Sequence, residues 1–331
     1  MHKEHRARAY LSPVYLLAAD LIWGMGFVAQ KLASDVPAIT MAAWRSFFAF
    51  IFLLLCVLLA DRLTGNGRRL FLSPKRDGRL LDLTRAEVIG GALCGTVLAL
   101  ATVFQQAGLN AGTDGGKAAF ITALYVVFVP VIAQVFLRRR SPLHVWVSVI
   151  VSVIGFYLLC VTDDFTVAPS DLLVLVCSLF FAVQILLIGE FSPRCDGLRM
   201  SLVQFFTMFA VTALASLAID PLPSGVQFVS HLPSVLYLGI LSSGVAYTLQ
   251  ILGQRGTPPA VASVLLSLES VVAAVGAAIV LRESMSWREG LGCAVVFLAV
   301  LLSELDLGAF KRRHTPITSA AEGEPEENGE P

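Results

Sequence analysis

One carboxylate, Glu269, stands in the middle of PPAVASVLLSLESVVAAVGAAIVL, the apolar run of 24 residues from Pro258 to Leu281. At about 1.5 Å of rise per residue a helix of this length covers about 36 Å, enough to cross the hydrocarbon core of a bilayer. An ionised side chain is expensive at that depth, and a segment serving only as an anchor would carry Leu there. A mid-membrane carboxylate has two uses. It faces a polar cavity and binds a proton, a cation or a solute, or it hydrogen-bonds a neighbouring helix, and both readings stay open. Ser263, Ser267 and Ser270 add polarity to the same run, only part of which can share the face of Glu269.

Other polar groups lie inside apolar runs and offer related chemistry. Arg45 falls about eight residues into its run, and a guanidinium there needs an acidic partner, a bound anion or a water-filled pocket. Asp20, at similar depth in the preceding run, is one candidate partner, as a structural Asp20–Arg45 pair or with a substrate role for either. Lys117 opens a later run and either snorkels to the outer interface or faces the site. Gln105 and Gln106 sit deep in one run, Tyr247 and Gln250 in another, and Gln184 in a third. Amides give donors and acceptors without charge, which suits a zwitterionic or polyfunctional solute and equally suits interhelical hydrogen bonding. Trp23, in WGMGF, adds an aromatic surface.

The elements that must position these groups are membrane helices. The 331 residues are 56% hydrophobic and only 15% charged, with a mean hydropathy of +0.77. A water-soluble chain carries about 25% charged residues. The expectation is an all-α integral membrane protein. Ten apolar segments run approximately 13–33, 37–60, 87–109, 114–137, 143–161, 169–189, 200–219, 233–253, 258–281 and 287–304. Pro13, Pro37, Pro142, Pro169, Pro233 and Pro258 stand where several of them open, and a first-turn proline costs no hydrogen bond. Pro130 interrupts the fourth and should kink it or free a carbonyl. Gly91 and Gly95 form a GxxxG pattern that permits close helix contact. Residues 1–12 form a basic N-terminus and 61–86 a basic loop, while 305–331 form an acidic, Pro/Gly-rich tail too polar to build a core. The first apolar stretch is too long for a signal-peptide core and is taken as an uncleaved span.

With both termini in the cytoplasm, 19 of the 24 basic residues fall on the inner side, which fixes the orientation by the positive-inside rule. That places the chain in the cell membrane with an even number of spans. Six scattered cysteines without CxxC or histidine pairing indicate neither a disulfide framework nor a metal site. No P-loop is present, so direct ATP coupling is not expected, and neither a cofactor nor a nucleic-acid partner is implied. A polytopic enzyme binding Mg²⁺ needs clustered carboxylates, and Asp163-Asp164 in a connection is the one adjacent acidic pair suited to that reading.

An internal repeat organises the whole. Shifted by 144 residues, GTDGGKAAFITALYVVFVPVIAQVFLR (112–138) lies on GTPPAVASVLLSLESVVAAVGAAIVLR (256–282) with about nine of 27 positions identical. Five spans per copy is an odd number, so the second copy, 169–304, is expected upside down relative to the first, 13–161. Inverted repeats with a site at their midplane interface mark secondary transporters. The same shift sets Tyr125 opposite Glu269, so the halves offer different polar groups at matching depth.

WGMGFVAQK, the FQQAGL…GTDGGKAAFITALYVVFVPV block, SSGVAYTLQILGQ and ASVLLSLESV…LRES together resemble the drug/metabolite transporter superfamily, in particular bacterial proteins with two EamA-type repeats. The resemblance runs from about residue 13 to 304 and departs from the family pattern after the fourth span, where RRRS replaces a Gly-Glu-Arg-like turn. It implies ten helices in inverted five-helix halves, alternating access, and transport of small organic solutes. It also implies a central cavity at Trp23, Gln105, Gln106, Tyr125, Gln184, Tyr247, Gln250 and Glu269. The function expected is secondary active transport of a small polar or amphipathic metabolite, proton-coupled through Glu269, with an uncoupled facilitator or exchanger as the alternative. The solute and membrane lipid are its expected partners, with a homodimer as the assembly left open.

Overall fold

The computed structural model describes residues 2–33, 35–64, 81–113, 115–160, 168–221, 225–280 and 286–304. The middle of the basic loop, Asp163-Asp164, Arg282-Glu283 and the acidic tail lie outside the described residues. Every described element is helical. In order they are α1 His2–Lys31, α2 Ala38–Thr64, α3 Arg85–Asn110, α4 Gly115–Ala123, α5 Tyr125–Val135, α6 Leu143–Cys160, α7 Pro169–Phe191 and α8 Gly197–Ile219. Then come the short α9 Gly225–Ser230 and α10 Leu232–Leu236, a π-helix Tyr237–Ala246, α11 Tyr247–Gln254, α12 Pro259–Leu266, α13 Glu269–Val280 and α14 Trp287–Glu304.

Eight stretches among the described residues are long and apolar enough to cross a membrane, with α4 and α5 counted as one span, and likewise α10 to α11 and α12 with α13. The apolar part of α6, Leu143–Leu158, is shorter, and α14 carries Arg288, Glu289 and Glu304. The protein is thus an all-α, multi-pass membrane fold. Large apolar side chains such as Leu55, Leu143, Leu214 and Ile279 remain exposed, as side chains turned to lipid do.

Small residues and caps set how the helices meet. A Cβ added at Gly91 would lie 2.6 Å from the Val203 Cβ, and one at Gly95 only 2.3 Å from the Gln204 carbonyl. The GxxxG pattern therefore forms the contact of α3 with α8. At one end of this pair Thr84 and Glu87 form a capping box on α3. The other Glu87 oxygen accepts from the Asp196 amide at 2.8 Å, and Asp196 in turn caps α8 on the amides of Leu198 and Arg199. Arg199 closes the cluster on Asp61 of α2.

Two proline expectations change. Pro13 lies inside α1, because the helix begins back at His2 rather than at the apolar boundary. Pro130 lies inside α5, and the interruption of the fourth span falls earlier, at Leu124 between α4 and α5. The other prolines lie at helix openings: Pro169 starts α7, Pro233 is in the first turn of α10, and Pro258 caps α12.

Candidate functional site

Two interrupted helices build the centre of the molecule. The span holding α4 and α5 tightens at Leu124, whose amide turns to the Ile121 carbonyl at 3.2 Å. The span holding α12 and α13 tightens at Ser267 and Leu268, where the Leu268 amide reaches the Leu265 carbonyl at 3.1 Å. The breaks stand at corresponding places in the two repeats, and the next residue in each is the first of a new half-helix: Tyr125 and Glu269. Their side chains meet. The Tyr125 hydroxyl donates to Glu269 Oε1 at 3.3 Å, across 144 residues of chain.

Local chemistry accounts for both breaks. Ser263, Ser267 and Ser270 each turn their hydroxyl back to the carbonyl three residues earlier, which loads the helix at its tightest turn. These serines serve the break and do not line the cavity. In the first repeat a neighbour does the equivalent work, since Ser178 of α7 donates to the Thr122 carbonyl at 2.9 Å.

Around this pair lies a cavity whose empty space, counting the open mouth, is about 520 Å³. α1 contributes Trp23, Gly26, Phe27 and Gln30, α2 Arg45, α3 Gln105, α4 Thr122, and α7 Phe181, Gln184 and Ile185. Ser242 comes from the π-helix, Tyr247 and Gln250 from α11, and Leu266 from α12, with Tyr125 and Glu269 at the half-helix starts. Its polar groups are organised in three sets. Gln30 donates to Gln105 at 3.1 Å, and Gln105 donates to the Thr122 hydroxyl at 3.2 Å. Gln184 and Gln250 exchange reciprocal amide bonds at 3.1 and 3.2 Å. Arg45 donates from Nε to Ser243 at 3.0 Å and from Nη2 to Ser242 at 3.1 Å, and the Trp23 indole donates to the Ser242 carbonyl at 3.0 Å. π-Helical turns are rare and cluster at functional sites. Here one carries both hydroxyls that hold the guanidinium. Tyr247 packs on Trp23 with ring centroids 4.7 Å apart and lies within electrostatic reach of both Arg45 and Glu269.

Besides the three serines of the break, Gln106, Asp20 and Lys117 are the candidate site residues from the sequence that do not line this cavity. Gln106 donates to Asn110 of its own helix, which donates to the Val36 carbonyl. Lys117 does not line the cavity: it pairs with Asp171 at 2.5 Å, and Asp171 also accepts from Thr113 and the Ala168 amide. The candidate Asp20–Arg45 pair does not form. Arg45 is taken by the two serines of the π-helix, and Asp20, fully buried, has no hydrogen-bond donor on either oxygen among the described residues. Phe27, the last residue of WGMGF, lines the cavity as well, and so do Gln30, Thr122, Ser242 and Phe181, which composition and spacing do not single out. Gln30 sits inside WGMGFVAQK, and its amide type is the one signal that pointed to it.

The arrangement offers a fixed positive charge at Arg45, a carboxyl at Glu269, amide edges between them and aromatic walls. It suits reversible binding of a polar solute with an apolar part. Among the described residues no group of three His, Cys, Asp or Glu side chains is placed to hold a metal ion, and Cys56, Cys94, Cys177, Cys195 and Cys293 are free thiols.

Comparisons with known proteins bear on the fold and the family. The model of the EamA-like transporter family matches residues 11–161 and again residues 168–305. An uncharacterised transporter of Archaeoglobus fulgidus is 29% identical over 206 residues, or 62% of this chain, and the chain spans 65% of that relative's length. A solved crystal structure superposes with a TM-score of 0.69 at 15% identity, covering 92% of this chain and 99% of the other, a likeness of fold. Two matched regions that together take in most of its length make this chain a member of the EamA-like transporter family, within the drug/metabolite transporter superfamily.

Proposed function

We propose that this protein is a secondary active transporter that carries a small polar or amphipathic metabolite by alternating access, coupled to proton movement at Glu269. The observation that carries the reading is the meeting of Tyr125 and Glu269, one from each repeat, at the start of two half-helices on the wall of the cavity. Discontinuous helices meeting at a repeat interface are how secondary transporters build a midplane site. On this reading ten helices cross the membrane as two inverted halves, 13–161 and 169–304, with α6 and α14 as the two shorter spans. Both termini lie in the cytoplasm of a cell-membrane protein, a reading supported by the distribution of basic residues. The solute sits between Arg45 and Glu269, its polar groups on the glutamines and its apolar part on Trp23 and Tyr247.

The test has two stages. Amino acids, vitamins and nucleosides are screened for stabilisation of the purified protein, since a ligand that binds the folded state raises its melting temperature by mass action. Those that stabilise are offered to reconstituted vesicles with and without a proton gradient, using wild type, Glu269→Gln and Glu269→Ala. Wild type should accumulate the solute against its gradient. Glu269→Gln should only equilibrate it, and Glu269→Ala should also lose binding. Accumulation by Glu269→Gln at the wild-type level would end the coupling role of Glu269.

A further inference from the structure

Asp20 has no partner in the arrangement above. Its side chain is wholly buried in α1, and neither carboxylate oxygen receives a hydrogen bond among the described residues. Folded proteins pair such a group or neutralise it, because an isolated buried charge costs several kcal/mol, on the order of the penalty for one desolvated ion. The packing of α1 shows what lies opposite. Gly24, one turn after Asp20, sits against Val272, one turn after Glu269, so closely that a Cβ at Gly24 would lie 2.5 Å from the Val272 Cβ. A Cβ at Gly276, one turn further along α13, would lie 2.7 Å from Sδ of Met25, the residue after Gly24, so the two helices run the same way and Asp20 and Glu269 each stand one turn before the contact. Asp20 is within electrostatic reach of Glu269, and the Tyr125 hydroxyl is within reach of both.

The other titratable groups around α1 leave this pair to itself. Tyr237 of the π-helix donates to the Ile22 carbonyl at 2.7 Å, and Tyr247 of α11 packs on Trp23. Lys117 of α4 is committed to Asp171, and Arg45 of α2 is held by Ser242 and Ser243. α10 and α12 bring no titratable side chain, and α7 brings Cys177, an uncharged free cysteine buried in that helix. No cationic side chain pairs with either carboxylate among the described residues.

We propose that Asp20 and Glu269 form one proton-binding pair in which Asp20 is the proton reserve for Glu269. Two carboxylates one turn before the same helix contact, one buried without a donor and neither paired with a cation among the described residues, carry one negative charge between them, as coupled carboxyls elsewhere do. When the O–H bond of Glu269 breaks and its proton forms an O–H bond on Asp20, the total charge stays the same. Glu269 then faces the cavity ionised while Asp20 is neutral, and the reverse transfer restores it. The orphaned state of Asp20 follows: its function needs an empty oxygen. This inference rests on the reading of the cavity as the transport site.

Protonation is read on the purified full-length protein with no solute present, by infrared difference spectra of the carboxylic C=O stretch in H₂O and D₂O across pH. Wild type should show a buried carboxylic band that titrates in two coupled steps. Asp20→Asn and Glu269→Gln should each leave a single step, and Asp20→Glu should keep two steps with a displaced band. A wild-type titration unchanged by Asp20→Asn would overturn the pairing, and so would the absence of any buried carboxylic band at neutral pH. Loss of the band on adding sodium or potassium at fixed pH would make the site one for a metal cation and overturn the proton assignment. If Asp20→Asn does not fold, wild type and Asp20→Glu decide by the number of steps. Failure of the transport reading would appear in the vesicles with this titration intact, so the two are separable.

Discussion

Replacing Gly24 by alanine puts a methyl group where α1 touches α13. The new Cβ would lie 2.5 Å from the Val272 Cβ, 2.6 Å from its Cγ1 and 2.9 Å from the Ala273 amide nitrogen. Carbon pairs rest at about 3.5–4.0 Å, so the helices must part by about 1 Å. Val272 is β-branched and stiff in a helix, and Ala273 presents backbone, so no side chain yields in their place. Overpacking of this kind costs about 1–3 kcal/mol. Alanine returns about 0.5–1 kcal/mol through its lower backbone entropy cost in a helix. The net loss for Gly24→Ala is therefore on the order of 1 kcal/mol. Gly26 supplies the control, because a Cβ there meets nothing nearer than Ser242 Oγ at 3.7 Å and Leu238 Cδ2 at 3.8 Å, ordinary contact. Gly26→Ala keeps only the gain. The two variants should differ by about 2 kcal/mol, more than tenfold in the folding equilibrium. Thermal and denaturant unfolding in one detergent would measure both against wild type. If Gly24→Ala proves as stable as Gly26→Ala, the close approach of α1 to α13 is wrong, and with it the placing of Asp20 and Glu269 one turn before that contact.

Tyr125→Phe and Glu269→Gln touch one hydrogen bond, so their effects on solute affinity should be non-additive by about 0.5–3 kcal/mol in a double-mutant cycle, and simple additivity would place the two groups apart. Gln184→Leu leaves Gln250 without its amide partner and should cost about 1–3 kcal/mol of stability. Adding Gln250→Leu should recover most of that while solute binding stays lost, and a double variant no more stable than the single one would refute the reciprocal pair. For the orientation, cysteines placed at the exposed Arg140 and Val226 in a cysteine-free background should label from the cytoplasm and from outside respectively; labelling of both from one side would reject the proposed topology.

Much of the fold was legible because a bilayer constrains composition so strongly. A carboxylate inside a long apolar run stands out at Glu269, and the repeat arithmetic set Tyr125 opposite it before any coordinates did. The breaks were not legible. Leu124 and Leu268 are apolar residues in apolar runs, and the interruptions arise from hydroxyls that capture or crowd backbone carbonyls, Ser178 on Thr122 and Ser267 on Val264. Pro130, the obvious breaker by residue type, sits inside a continuous helix. Arg45 was matched to Asp20 by charge and depth alone. Its real partners are neutral serines of a distant span, 197 and 198 residues along the chain, and hydropathy does not distinguish such serines from packing residues. Gln30 was overlooked because it precedes Lys31 at the end of a span, where polarity needs no special reason.

The π-helix Tyr237–Ala246 makes the length of the span that holds it, Leu232–Gln254, as important as its composition. A π segment closes its hydrogen bonds one residue further along than an α-helix does, so it accommodates extra chain within the same run. Losing one residue from this stretch would let it relax to α-helix, and the span would keep its apolar character. An insertion-deletion tally between homologues would count the event as neutral. Yet each residue turns an α-helix by about 100°, so Ser242 and Ser243 would swing away from Arg45 and leave its guanidinium facing the cavity with no hydroxyl to hold it. Chains of this family that differ by one residue here should therefore differ in what they carry, even where every lining side chain is the same.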